Sequence, residues 1–478
     1  MRPEIKAQLR PYQVEPAARL LEVLKTQGVG FDLSSTGTGK TFISAAIAAE
    51  LRCATLVVAP KISESAWQRA AAHFGDTISF TSWELLRTGG TPFGEWENGP
   101  PPPRGERLLF KCPNCQRKMT PDFIPPCPAH WAGLHCFDTQ VKPHKYGKFK
   151  FNPAIKLLIF DEIHRAAGDS LNADMVIGAR QSGIPTLGLT ATLAHSPLQL
   201  RATGYLAGLH QLGNFDYWCG KRGCRRVPMR GIQWLSPVGD REQIMRDIGE
   251  QIIPAKGIRI TEDQIPDFPA RHILPELYDL PREDTEELNS LYDLLAQPLD
   301  ALASASMGDK DPEHPLTKRL RARQRIELLK VPVAEELGKS YGETGHSVVW
   351  FVNFQLTIDE LQKRFPEAGV INGQITGAVR ENVVAAFQSN QLRRLIVNNQ
   401  AGGIALSLQD LQGDFPRVGI VFPADSPVVM QQLFGRLARS GGKSTVIYRV
   451  IFASRSVEVP MRRALELKYN NLAALNIF

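Results

Sequence analysis

Short apolar runs bounded by turn-forming residues recur along the chain and set its expected architecture. Val29-Gly30-Phe31-Asp32-Leu33, Thr55 to Ala59, Leu157 to Phe160 and Thr186 to Leu189 are continuous rather than alternating, and stretches of helical spacing separate them. One such stretch follows Thr41, where Phe42, Ile43, Ala46, Ile47 and Leu51 return to one helix face. The rhythm resumes with Val348 to Val352, Leu395 to Val397, Val418 to Phe422 and Val446 to Phe452. Strands that are apolar on both faces belong to parallel sheets covered by helices. The pattern therefore predicts an α/β chain of two tandem parallel-sheet domains, with the ligand at the carboxyl ends of the strands. The boundary is expected near Pro266 to Pro269, giving domains 1–265 and 266–478.

Two stretches break this rhythm. Residues 100–150 open on Pro100-Pro101-Pro102-Pro103 and carry too few apolar positions for a core, so a separate insert in the first domain is expected. Residues 282–340 place Leu288, Leu291, Leu294 and Leu295 at helical spacing, break near Gly308 to Pro315, and continue with Lys318, Arg319, Arg321, Arg323 and Arg325. That reads as a helical insertion at the start of the second domain, either gripping a polyanion or packing with a solvated basic face.

The first strand runs into Ser34 to Thr41, which has P-loop spacing except that Ser34 stands where Gly or Ala is usual. Strand, loop and helix follow in the required order. Gly37 and Gly39, with Thr36 and Thr38 between and before them, let backbone N–H groups turn toward phosphates; Lys40 adds a cation and Thr41 a hydroxyl for Mg²⁺. Gly441-Gly442-Lys443-Ser444 imitates the pattern but has Leu437 at the leading Gly position and a strand-like run after it, so it reads as a turn. Lys156 to His164 is an apolar run ending in Asp161 and Glu162. There Asp161 would hold the Mg²⁺ shell and Glu162 would orient the attacking water.

Taken together these motifs resemble those of superfamily 2 helicases and translocases, in that family's order and over nearly the whole chain. Arg10-Pro11-Tyr12-Gln13 is similar to the N-terminal motif whose Gln reads adenine, which assigns Tyr12 and Gln13 to the nucleotide. Thr55 to Pro60, with Lys61, and Thr81-Ser82-Trp83 are similar to nucleic-acid contact motifs. Asp161 to His164 matches a DExH box, and Thr190-Ala191-Thr192 the motif coupling ATP to the nucleic-acid site. Gln432-Leu433-Phe434-Gly435-Arg436-Leu437-Ala438-Arg439 matches the QxxGRxxR arginine-finger motif. The resemblance implies two RecA-like domains with one ATP site completed when the lobes close, Arg436 and Arg439 serving as fingers and Gln432 arranging the water or an arginine. Arg10 to Gln13, Ile258 to Asp263, and Ala401 to Leu408, including Gly403 toward the nucleotide, lean toward the chromatin-remodeller (Snf)-like double-strand DNA branch. Ala405 departs from that branch, which has a further Gly there.

Composition adds a modest bias. The 478 residues suffice for two cores, and a formal charge of +7 with pI near 9.0 suits a polyanionic partner. Basic residues concentrate in the insert and between Trp218 and Trp234, where Lys221, Arg222, Arg225, Arg226 and Arg230 lie between indoles. Cations beside aromatic rings are what nucleic-acid grooves use. The insert also holds Cys112-Pro113-Asn114-Cys115 and Cys127-Pro128-Ala129-His130, a spacing that suits structural Zn²⁺, with Cys136 as the alternative to His130. Cys219 and Cys224 read as ordinary thiols and Cys53 as core.

The resulting expectation is an ATP- and Mg²⁺-dependent DNA helicase or translocase acting on duplex or branched DNA in replication, recombination or repair, with a structural Zn²⁺ and protein partners from those processes. RNA helicase is the alternative, and an ATP-gated clamp or loader a second. The chain shows no signal peptide or membrane-spanning run, so a cytoplasmic location in a bacterium or a phage-infected cell is expected.

Overall fold

The computed structural model describes residues 1–97, 148–227, 231–297, 315–375, 377–399, 406–424 and 427–463, with two short strands at Phe110–Lys111 and Lys118–Met119. Its described residues separate into two compact units, one made of Met1–Ser35 and Gly39–Ile260, the other of Thr36–Thr38 and residues 261–463. Each is an α/β body on one six-stranded parallel sheet, consistent with two RecA-like domains.

In the first unit the strands are β1 (Val29–Asp32), β2 (Thr55–Ala59), β3 (Ser79–Ser82), β4 (Leu157–Asp161) and β5 (Thr186–Leu189). A hairpin of β6 (Cys224–Val227) and β7 (Gly231–Trp234) follows, then β8 (Gly257–Ile258). The sheet order is β8-β1-β5-β4-β2-β3, parallel throughout. Because β8 pairs with β1, the chain stays in the first sheet until just before the unit's end at Ile260. Local sequence explains the flanking helices. The Pro11–Gln27 helix has Pro11 in its first turn and stops at Gly28, whose φ of +70° suits a residue without Cβ. The Lys40–Leu51 helix buries Ile43, Ile47 and the alanines Ala45, Ala46, Ala48 and Ala49.

Gly94–Trp96 pairs antiparallel with Phe149–Phe151, and Trp96 and Phe149 meet edge-on at 5.0 Å. Cys112, Cys115, Cys127, His130 and Cys136 lie outside the described residues, among which no cluster suited to a metal ion occurs.

The second unit is built on β9 (Arg271–Tyr278), β10 (Ser347–Val352), β11 (Gly369–Ile371), β12 (Arg394–Asn398), β13 (Arg417–Val421) and β14 (Val446–Ala453). The order is β9-β14-β13-β10-β12-β11, again all parallel. Helices Arg282–Ala296 and Pro315–Leu328 pack through Leu288, Leu291 and Leu295 against Ile326. In that pair Arg325 grips Glu287 with two 2.7 Å bonds. Two buried polar groups tie helices to the sheet. Glu327 accepts from the Asn353 and Phe354 N–H groups (2.9 and 3.3 Å) and from Asn353 Nδ2 (2.6 Å). Lys330 Nζ donates to Glu458 (2.8 Å), which also accepts from the Tyr292 hydroxyl (2.7 Å) and the Ala453 N–H (2.7 Å).

Candidate functional site

Parallel registration sets the first unit's site. Asp32 of β1 and Asp161 of β4 both stand opposite Leu189 of β5, so three neighbouring strands end in one row. From that row emerge the phosphate loop, the Asp161–His164 box and Thr190. Gly37 and Gly39 hold φ of +83° and +96°, and a Cβ on Gly39 would meet Gln13 Nε2 at 2.2 Å. The φ of Gly39 is what calls for glycine, since the Gln13 amide is the movable end of a long side chain. Gln13 is itself buried, and its Oε1 accepts the Arg10 N–H at 3.2 Å; Tyr12 beside it is half-buried. Lys40 Nζ donates to the carbonyls of Ser34 (2.8 Å) and Ser35 (3.1 Å). Thr36, Thr41 and Lys40 are half-buried and Thr38 is buried. Left-handed glycines, a lysine and a threonine at a helix start are a donor set that fits a Mg-nucleotide.

Asp161 accepts from Trp67 Nε1 (2.9 Å) and from the Glu162 N–H (3.0 Å). Burial, and then the neighbouring Glu162 carboxylate, push its carboxyl up to about 6, against the Trp67 bond and the Lys40 charge. Glu162 itself takes a left-handed backbone with φ of +53°, an unusual conformation for a residue with a Cβ. His164 Nδ1 stands 3.0 Å from the Thr190 hydroxyl and 3.3 Å from Glu162 Oε2. Thr190 Oγ1 donates to the Thr192 carbonyl (2.8 Å). A continuous polar chain thus runs from the acidic pair to the Thr190–Thr192 turn.

Two residues here escaped sequence reasoning. Trp67, fully buried, fixes Asp161, and its only signal was an indole in an apolar helix face. Asp32 is wholly buried at the strand end, with Oδ1 accepting the Ser34 N–H at 3.0 Å. Burial raises its carboxyl, while Lys40 and Ser34 lower it. It looked like one more residue of an apolar run.

In the second unit, Gln432 and Arg436 are buried and Arg439 is half-buried. Arg439 donates to the Gly435 carbonyl (2.9 Å) and to Ser407 Oγ (2.8 Å), and Arg436 to the Leu406 carbonyl (3.5 Å). The segment's backbone is held as well. Arg271 donates to the Phe434 carbonyl, the Leu437 N–H donates to the Tyr448 hydroxyl, and the Leu408 N–H donates to the Arg436 carbonyl. Gly403 lies outside the described residues. Gly441 to Ser444 forms the turn before β14, where the Lys443 N–H donates to the Asp410 carbonyl at 2.9 Å.

The residues expected at nucleic acid divide. Trp83 is fully buried, stacks on Phe160 at 5.2 Å and donates to the Asp161 carbonyl, so it is a core residue and not a surface contact. Ser82 is buried and caps the next helix through the Leu85 N–H. Lys61 is exposed and pairs with Glu64. Trp218 is also corrected: it is buried against His210 and Phe215, where it cannot stack on a base. Lys221, Arg225 and Arg226 are exposed, and Arg222 is half-buried. Cys219 and Cys224 are buried, and their mutual hydrogen bond pushes the first thiol up and the second down. Cys53 is half-buried beside Thr55.

No protein-family model matches the chain. The chain is similar to a protein of Acanthamoeba polyphaga mimivirus named "Putative ATP-dependent RNA helicase". The two are 27% identical over 499 aligned residues, covering 99% of this chain and 84% of the mimivirus protein.

Proposed function

We propose that this chain is an ATP-dependent nucleic-acid helicase or translocase. The observation that carries the reading is the row at the first sheet's carboxyl edge. There the phosphate loop, the acidic pair and Thr190 leave three adjacent strands, and His164 bridges Glu162 to Thr190. Lys40 and Thr41 bind phosphate and Mg²⁺, Asp161 holds the metal, and Glu162 orients water. Gln13 and Tyr12 take the base. His164, Thr190 and Thr192 pass the state of the nucleotide to the nucleic-acid surface. Arg436 and Arg439 supply the finger, and Gln432 arranges it. The metal contributes charge neutralisation at the phosphates when bound.

The motif pattern leans toward duplex or branched DNA as the track, with replication, recombination or repair as the setting and the cytoplasm as the place. Among the described residues no helix is long and apolar enough to cross a membrane. RNA is the second reading, favoured by the name of the mimivirus relative. ATPase assays with matched duplex DNA, single-stranded DNA and RNA discriminate, because only the true track raises turnover strongly while all bind in a salt-sensitive way. Wild-type turnover that no nucleic acid raises, or that survives Lys40→Ala, sinks the proposal.

A further inference from the structure

The segment Phe215 to Val227 carries Lys221, Arg222, Arg225 and Arg226 against one acid, Asp216. Its side chains do not share one role. Trp218 is buried, Arg222 lies 3.9 Å above its ring, and Arg222 Nη1 donates to the Trp218 carbonyl at 3.0 Å. Those two residues hold the segment together. The neighbouring Tyr217, by contrast, is 66% exposed, and Lys221 one turn on places its ammonium 4.8 Å from the ring centre. Arg225 and Arg226 are exposed on β6.

The backbone beneath these groups is fixed. Gly223 takes φ of +80°, and a Cβ there would fall 1.7 Å from Ser236 Oγ, so the turn and the chain after β7 lie in close contact. The Arg222 carbonyl accepts from Trp234 Nε1 (2.8 Å) and from the Ser236 hydroxyl (3.2 Å), and the Leu235 N–H donates to Gly223 (3.0 Å). Cations on a braced turn lose little backbone entropy when they bind.

We infer that this surface binds single-stranded nucleic acid, with Tyr217 as the platform for an unpaired base and Lys221 and Arg225 on the adjoining phosphates. The inference rests on the helicase or translocase reading and adds a single-strand contact to the duplex or branched track that reading favours. Cations alone would serve any polyanion. An exposed aromatic ring with a cation over one face adds, on its other face, a contact that an unstacked base can use, since a duplex presents its phosphates but keeps its base faces covered.

The test is fluorescence anisotropy with an unstructured oligonucleotide, as DNA and as RNA, beside a blunt duplex of equal length. Tyr217→Ala should weaken single-strand binding by roughly five- to a hundred-fold, the value of one base stack, with duplex binding little changed. Tyr217→Phe should keep the single-strand affinity. Lys221→Ala should weaken both and flatten the salt dependence. Single-strand binding untouched by Tyr217→Ala, or single-strand and duplex affinity falling together, overturns the assignment. If the wild-type ATPase still responds to nucleic acid in that case, the broader reading stands. A wild-type chain that neither binds nor responds to any nucleic acid overturns both.

Discussion

In the first unit, Trp67 reaches Asp161 and His164 reaches both Glu162 and Thr190, side chain to side chain across neighbouring elements. In the second, Arg436 and Arg439 end on the Leu406 and Gly435 carbonyls and on the Ser407 hydroxyl. Buried polar side chains there, among them Glu327 with the half-buried Asn353 and Lys330 with Glu458, join helices to the sheet. One sheet edge thus gathers its polar side chains by strand order. The second unit's joints bind helices to its sheet, and its candidate arginines reach nearby carbonyls and the Ser407 hydroxyl.

The sharpest way to break that contrast is to remove the arginines. Arg439→Ala and Arg436→Ala should each retain nucleotide binding while losing about 10³–10⁵ in nucleic-acid-stimulated turnover, the usual value of a finger. Wild-type turnover in both would leave the second edge purely architectural. A smaller effect tests the architectural side. Lys330→Ala strands a buried Glu458 and should cost about 3–5 kcal/mol in denaturant unfolding, whereas replacing both partners by apolar residues of similar volume should cost much less.

A third experiment concerns pH. The Asp161 carboxyl sits near 6 in the folded protein, well above its ordinary value, so below that pH a proton competes with Mg²⁺ for it. Mg²⁺-dependent nucleotide binding should therefore weaken about ten-fold per pH unit as pH falls below about 6 and level off above it. Titration calorimetry at several pH values reads this, and a flat profile would show that the carboxyl is not a ligand. Smallest is Thr190→Val, which removes one hydroxyl from the His164 chain. Losing one hydrogen bond of about 1 kcal/mol should lower the stimulation ratio about five-fold.

Much of the first edge was legible because its chemistry is local in sequence. Ser34 to Thr41 and Asp161 to His164 each carry their meaning within nine residues or fewer, and apolar runs announced the strands around them. What stayed hidden depends on distant partners or on burial. Lys330 and Glu458 are 128 residues apart, and no spacing rule pairs them. Trp83 and Trp218 show why an indole beside polar or basic residues is ambiguous: each sits within a motif of nucleic-acid character, yet each is packed inside. Asp32 was missed for the converse reason, a carboxylate hidden in a run of apolar neighbours. Lys318 to Arg325 and Lys221 to Arg226 are both cation-rich runs. Structure separates them, since Arg325 is tied to Glu287 while Arg225 and Arg226 reach solvent.

Glu327 belongs to the Pro315–Leu328 helix, yet its carboxylate is bolted to the main chain at the very tip of β10. Helix and strand tip therefore form one stiff part. Displacing the end of β10 would have to carry that helix along or break the three bonds that join them.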